Sequence, residues 1–410
     1  MIGHIVRMVW NRKRTTGLLL VELLVSYLVL CVVFSAAASY YINWKKPLGY
    51  DYHDVLTLTA SAPPTDDFDR EARGHRLEEA ARLEQAIRTL PNVVAVSPLV
   101  NVPYSGSGSR RGLNMKDGSL IQFFISQASI DMKEVFKFSV VQGRWLEPAD
   151  FQTAWTPIVV NRALARRLFG NEDPIGRTIE SYDENGTLRV AEDESDNMKV
   201  VGVIDDFRKG GEFSDSPYAG FVPQYTDPGR AWPSDEYMVR VNPGTPAAFE
   251  EQLITFVRSV LPDYSVRVES LEASRATYFK TTLLPLIVGG IVAWFLILMV
   301  GMGLVGVLWQ NVAQRSREFG LRRALGANGG DVVRQVVGEM LALTTLAVLA
   351  GAVLFLQVPM LKLPGFINLR TALTAILAAV VVLYPFVALC SLYPSWLAAR
   401  VQPVEALHAD

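Results

Sequence analysis

Reactive chemistry is scarce in this sequence. Cysteine occurs only at Cys31 and Cys390, both inside apolar runs at different expected depths. A bridge between them is not expected, and the long polar stretch, which has no cysteine, holds no disulfide framework. His4, His53, His75 and His408 are scattered, and no pair has metal-ligand spacing. No Lys follows a Gly, so the phosphate-cradling loop G-x-x-x-x-G-K-[ST] is excluded. G-x-S-x-G and H-E-x-x-H are missing as well, which removes the serine-hydrolase elbow and the helical zinc site. A net charge of −2 over 410 residues supplies no global basic field, so nucleic acid is not an expected partner. The expectation is a chain that is not an enzyme and holds no cofactor or metal of its own.

Long uncharged runs are what the sequence does have. Residues 17–38 are broken only by Glu22, 283–309 carry no charge in 27 residues, 336–361 carry only Glu339, and 371–399 carry none. About 20 consecutive apolar residues suffice to cross a bilayer, so four spans are expected, one early and three late. The first run follows Arg7, Arg12, Lys13 and Arg14 and ends in Ser35–Ser39, a pattern open to a signal peptide with a cleavage site. Its length, and the aromatic residues Tyr40, Tyr41 and Trp44 after it, favour an uncleaved helix with an interfacial belt. Glu22, two turns from the basic end, is expected to reach toward the headgroups. Gly301, Gly303 and Gly306 in the second run permit close helix packing and suggest a dimer face, without a strict GxxxG.

Short Arg-rich loops stay on the cytoplasmic side, which orients the chain. The expected order is a cytoplasmic N-terminus (1–16), a span (17–40), an extracytoplasmic domain (41–282), a span with a stalk (283–309) and a cytoplasmic coupling loop (310–332). A third span (333–358), an external turn (359–370), a fourth span (371–396) and a cytoplasmic tail (397–410) follow. Both termini are then cytoplasmic, in a multi-pass membrane protein.

Within the polar region one pattern occurs twice. The strand VLTLTA (55–60), a helix over 70–90, the pair Leu90-Pro91 and a strand at 93–96 correspond to the strand 237–241, a helix over 246–260, Leu261-Pro262 and a strand at 265–271. Two such units make one layered lobe of the split βαβ kind, with residues of about 100–235 inserted as a β-rich second lobe. Strands are expected there at 120–127, 156–161 and 198–207, with a short helix over 162–169 closed by Gly170. The acidic tract 192–196 reads as a solvated turn, since its carboxylates are consecutive and lack the spacing of a calcium loop. The fold class expected is therefore α/β plus membrane helices, with a large extracytoplasmic α+β domain of two lobes.

Between the second and third spans lies QRSREFGLRRALGANGGD (314–331). On a helix beginning near Val312, Arg315, Glu318 and Arg322 share one face at i, i+3 and i+7, which allows an ion-pair stripe. Gly326 suits the position just past a helix end, and Asp331 is expected to cap the next one. Taken alone, such a loop also fits a topological signal that binds lipid headgroups.

RSREFGLRRALGA (315–327) resembles the loop of permease subunits of the MacB/FtsX-like superfamily, the mechanotransmitting ABC transporters. YPSWLAARVQPVEAL (393–407) is similar to the C-terminal tail of that family. GRWLEPADF (143–151), VVNRALARRLFGNEDPIGRTI (159–179) and VVGVIDDFR (200–208) are similar to its periplasmic core domain. The resemblance implies a homodimeric or heterodimeric permease of a bacterial inner membrane whose loop docks on a separate ABC ATPase, with ATP and magnesium held by that partner. Contacts to the ATPase are implied for Arg315, Arg317, Glu318, Phe319, Arg322, Arg323, Gly326 and Ala327, with Asn328-Gly329-Gly330 a less charged continuation than in many relatives. A stand-alone permease without a fused ATPase is expected, acting in export or extrusion of an antibiotic, peptide, lipoprotein or similar hydrophobic substrate. An export role adds a periplasmic adaptor and an outer-membrane channel as partners. The alternative is a non-transporting scaffold that activates an extracytoplasmic partner such as a cell-wall hydrolase.

Overall fold

A computed structural model describes residues 13–63, 69–106, 108–183, 186–189, 197–214, 218–225, 233–314, 328–361 and 367–399. The chain divides into two compact units, residues 43–281 and the remainder, 1–42 with 282–410.

The 43–281 unit contains two sheets. The first has four strands, β1 (Val55–Ser61), β2 (Val93–Pro98), β9 (Glu236–Val241) and β10 (Ser265–Ser270), in the order β10-β1-β9-β2. Every neighbouring pair is antiparallel. β1 and β2 therefore run parallel with β9 between them, and β9 and β10 run parallel with β1 between them, the interlocked split βαβ arrangement expected from the repeated pattern. The crossover helices are α1 (Arg70–Arg88) and α2 (Ala248–Val260). Asp69 starts α1 by accepting from the backbone N–H of Glu71 at 3.2 Å. Leu77, Ala80, Leu83 and Ile87, at helical spacing, then bury one face of α1: Ala80, Leu83 and Ile87 in a core shared with Leu58, Val239, Leu253 and Val257, and Leu77 against Tyr225. A fully buried Leu or Val contributes about 1.5–3 kcal/mol, so this layer dominates the lobe's stability.

The second sheet has six strands: β3 (Arg110–Asn114), β4 (Leu120–Ala128), β5 (Val140–Gly143), β6 (Thr156–Asn161), β7 (Met198–Ile204) and β8 (Ala219–Pro223), in the order β3-β4-β8-β6-β7-β5. It is mixed, with β4–β8 and β6–β7 parallel. The short helix α3 (Met132–Phe136) follows β4, and α4 (Arg162–Phe169) follows β6. Asn161 caps α4, accepting from Leu164 N at 3.0 Å. Gly170, at φ 66°, closes it.

Pleating sends alternate side chains to opposite faces, and each sheet uses both. Val55, Ala95 and Met238 of the first sheet join Val159, Ile204 and Phe221 of the second in one core with Phe136, Phe138, Trp145 and Phe207. The two lobes therefore share apolar interior. Arg240 of β9 crosses it, donating to the carbonyls of Val135, His53 and Asp51 at 2.6, 3.0 and 3.0 Å.

The other unit is helical. Of its helices, α5 spans Lys13–Trp44, α6 Leu271–Gln314, α7 Gly329–Met360 and α8 Leu369–Ala399, and α5 and α6 each run across the boundary between the two units. All four are long and apolar enough to cross a membrane. They pack through Leu19, Leu23 and Tyr27 on α5, Ile297, Val300 and Leu304 on α6, Val336 and Met340 on α7, and Ala375 and Ala379 on α8. Glycines set the closest approaches: a Cβ at Gly351 would lie 2.5 Å from the Tyr27 ring, one at Gly303 2.8 Å from Glu22 Oε2, and one at Gly301 3.0 Å from Phe386.

Several expectations change. Glu22 lies against Gly303 of a neighbouring helix, where that glycine leaves room for the carboxylate. Gly301 and Gly303 receive side chains of the same chain, so only Gly306 of that trio has an open face. The helix of the second span begins at Leu271, twelve residues before the uncharged run, since Leu271 to Thr282 contains no breaker. Val312 itself belongs to α6, which continues through Gln314. Asp331 is not the cap of α7. Asn328 holds that position, and Asp331, three residues on, accepts from the Asn328 N–H at 3.1 Å.

Candidate coupling joint at the base of the two-lobed domain

Arg315, Arg317, Glu318, Phe319, Arg322, Arg323, Gly326 and Ala327 all lie outside the described residues, as do the acidic tract 192–196 and the tail from 400 onward. The motifs shared with the family's core domain are described, and most of their polar side chains hold the fold. Arg144 makes a two-pronged pair with Asp150, at 2.5 Å to Oδ2 and 2.8 Å to Oδ1. Asp150 also accepts from Glu147 N at 2.8 Å. Burial opposes ionisation of Asp150, but the Arg144 hydrogen bond and charge outweigh it and hold the carboxyl below its ordinary range. Asn161 accepts from Ala219 N at 3.2 Å besides capping α4, which joins β6 to β8.

Arg208, the last residue of VVGVIDDFR, acts differently. It is 2% exposed. Nη1 donates to the carbonyls of Asn43 and Lys46 at 2.9 and 3.0 Å, and Nη2 to those of Glu212 and Ser214 at 2.7 and 2.8 Å. The planar fork of a guanidinium suits this work, since a single side chain reaches several acceptors at fixed angles. It binds the segment by which the chain comes into the domain to the turn Gly211–Phe213. Gly49 makes the approach possible: at φ 83° its missing Cβ would lie 2.0 Å from the Asp206 carbonyl oxygen.

The same turn holds the segment by which the chain leaves. Arg275, in the second turn of α6, donates from Nε to Glu212 Oε1 at 2.7 Å. Its guanidinium lies over the rings of Phe279 at 4.3 Å and Tyr52 at 4.8 Å. Burial works against the Arg275 charge, but the Glu212 hydrogen bond and charge outweigh it and keep the group above its ordinary value. Glu212 is buried, and its second oxygen accepts from the Tyr104 hydroxyl at 3.3 Å. Trp44, Phe213 and Phe279 complete an aromatic triangle with centroid separations of 5.5, 5.6 and 4.9 Å. Gly211, at φ 66°, faces the Tyr104 ring, where a Cβ would come within 2.3 Å. Incoming and outgoing segments are thus pinned to one short turn.

Beside this joint, Lys209 is 3% exposed and donates to the Ser105 carbonyl at 2.9 Å and the Ser105 hydroxyl at 3.0 Å. Burial pushes its ammonium down to about 8. Sequence reasoning did not single out Glu212, Arg275 or Lys209. The available signal was local, a charged Arg208-Lys209 pair directly before Gly210-Gly211. Among the described residues no group of His, Cys, Asp and Glu is placed to hold a metal ion.

A two-lobed α/β domain inserted after the first of four candidate spans, with both its connections tied at one turn, defines a multi-pass membrane protein of the permease class. More particularly, the chain belongs to the MacB-like, FtsX-like family of ABC transporter permeases. The family model for the MacB-like periplasmic core domain matches residues 28–256, and that for the FtsX-like permease C-terminal matches residues 290–403. Similar curated proteins include a pyoverdine export ATP-binding/permease protein from Pseudomonas syringae pv. tomato, 24% identical over 98% of this chain and 58% of its own length. A macrolide export ATP-binding/permease protein from Hahella chejuensis is 30% identical over 65% of this chain and 40% of its own length. The chain spans about half the length of the curated relatives it matches. The crystal structure of the periplasmic region of MacB from Actinobacillus actinomycetemcomitans aligns with 56% of this chain and 94% of its own, at 14% identity and a TM-score of 0.38.

Proposed function

We propose that this chain is the permease of an ABC exporter in which a separate ATPase drives the membrane helices and the two-lobed domain, on the extracytoplasmic side, acts on cargo. Two copies, or one copy and a paralogue, form the working unit. The observation that carries the reading is α6, one helix of 44 residues from Leu271 to Gln314 that is held at Arg275 by Glu212 and leads in sequence directly into the basic segment 315–327. A helix fixed at one end to a packed domain passes displacement along its length, because its backbone hydrogen bonds leave little axial give. In this reading ATP and its magnesium are held by the partner ATPase. Relatives named for pyoverdine and macrolide export support an export role.

Arg315, Glu318 and Arg322 are the contacts that carry ATPase docking, with Arg317, Phe319, Arg323, Gly326 and Ala327 framing them. The triple substitution Arg315→Ala, Glu318→Ala, Arg322→Ala abolishes recovery of an ABC ATPase when the chain is purified from native membranes, while the permease itself stays folded. Undiminished co-purification of the ATPase with this variant overturns the docking assignment.

A further inference from the structure

A cleft between the lobes, well away in sequence from the joint, has the character of a ligand site. It encloses a cavity of about 280 Å³, with α1 on one side and the ends of β4 and β8 on the other. Leu77, Ala81, Ile130 and Phe151 give it apolar walls. Its charged residues are unbalanced. Arg88 is the one cation among the described lining residues, and it is divided between Glu84 at 2.5 Å and Asp131 at 2.9 Å. Two carboxylates therefore share a single guanidinium. Burial pushes the Glu84 carboxyl up despite the Arg88 contact.

The second observation is independent of that imbalance. Ser129 also lines the cavity, is 8% exposed, and its hydroxyl has no hydrogen-bond partner. Gln224 lines it too, with an amide oxygen in the same condition. Buried polar atoms are ordinarily paired, and groups of this kind gathered in one cavity mark where a ligand's polar end fits. Carboxylates and an amide oxygen only accept, and a serine hydroxyl also accepts, so the matching group is a donor.

We propose that this interlobe cleft binds a cationic amphiphile, an ammonium or amide donor carried on a short aliphatic body, as at the amino terminus of an apolar peptide. The ammonium sits between Glu84 and Asp131, the Ser129 hydroxyl and the Gln224 oxygen accept further N–H groups, and the aliphatic part lies against Leu77 and Ile130. The volume is near the lower end for small-molecule pockets, which suits a few residues or the head of a larger molecule. The assignment does not depend on ATPase coupling.

The test uses the full chain in lipid nanodiscs, with leucyl-leucine amide as probe and N-acetyl-leucyl-leucine, anionic with the same side chains, as comparison. Saturation-transfer NMR is read against empty nanodiscs. Saturable binding of the amide is expected, about tenfold or more tighter than that of the acid, as one charge-assisted hydrogen bond makes it. Ala81→Trp, on the exposed face of α1, fills the cleft and removes binding, and Ser129→Ala weakens it several-fold without changing the melting profile. Equal binding of amide and acid, no saturable binding of the amide, or full binding in Ala81→Trp each overturns the proposal.

Discussion

The two-lobed domain and the helical unit are held together by opposite means. In the domain, long-range polar ties cross the interior: Arg208 reaches four carbonyls, Arg240 three, and Glu212 joins Arg275 across 63 residues of sequence. In the helical unit, hydroxyls turn back on their own helices. Thr344 donates to the Met340 carbonyl, Thr345 to that of Leu341, and Ser395 to that of Ser391. Contact between helices is mostly apolar, with glycines opposite bulky side chains, and a cross-helix bond such as Thr345 to Tyr384, at 2.9 Å, is uncommon among the described residues. Directional ties cost free energy when broken, whereas apolar ridges can shift at modest cost, so the domain suits the part of a stiff body and the helices that of an adjustable one.

That contrast is open to attack, most severely at Arg208. Arg208→Met removes the donor to four carbonyls, two in buried and two in part-buried hydrogen bonds, and the domain should lose about 4 kcal/mol or more. Guanidinium unfolding of the intact chain, followed by the emission of Trp145 and Trp155, reads the loss, and an unchanged midpoint would remove the polar tie from the account. Arg275→Met is expected to cost about 2–3 kcal/mol, the low side for a broken buried pair because a quarter of the Arg275 side chain is exposed. Hydrogen exchange should rise first in the opening turns of α6.

A pH test separates Lys209 from its neighbours. Its folded pKa of about 8 lies below the ordinary lysine value, so between pH 8 and 10 the unfolded chain holds a proton that the folded one has released. Stability should therefore rise over that window, by about 1–2 kcal/mol, and show no slope from this group below it. Lys209→Gln flattens the rise. A wild-type profile that falls from pH 8 to 10, with the variant identical, contradicts this. The smallest effect belongs to the helices: Thr345→Val removes the bond to Tyr384 and should cost about 0.6 kcal/mol in a detergent titration. A loss comparable to that of Arg208→Met would erase the contrast.

Much of the architecture could be read from residue order alone. Strand, amphipathic helix and Leu-Pro, occurring twice, determined the split βαβ lobe, because side-chain periodicity and proline act locally. The four spans were legible for the same reason, as continuous apolar length. The cap of α7 was misassigned because Asn328 and Asp331 are both good capping residues three positions apart, and only the backbone decides which accepts and which caps. The joint was not legible. Glu212 and Arg275 are two among 41 acidic and 39 basic residues, and no local pattern marks a pair that the sheet order brings together. The basic segment 315–327 stood out by its motif and lies outside the described residues.

The central claim is that the base joint passes helix movement into the two-lobed domain. It is tested most directly by spin labels at Glu78→Cys, an exposed position on α1, with Cys31 and Cys390 replaced by serine, in the permease assembled with its ATPase. Pulsed EPR then compares the nucleotide-free complex with the complex trapped by ATP and vanadate. The wild-type distance between the two copies should shift on trapping, and in Arg275→Met the shift should be lost while the ATPase remains bound. A shift of the same size in both proteins would contradict the claim.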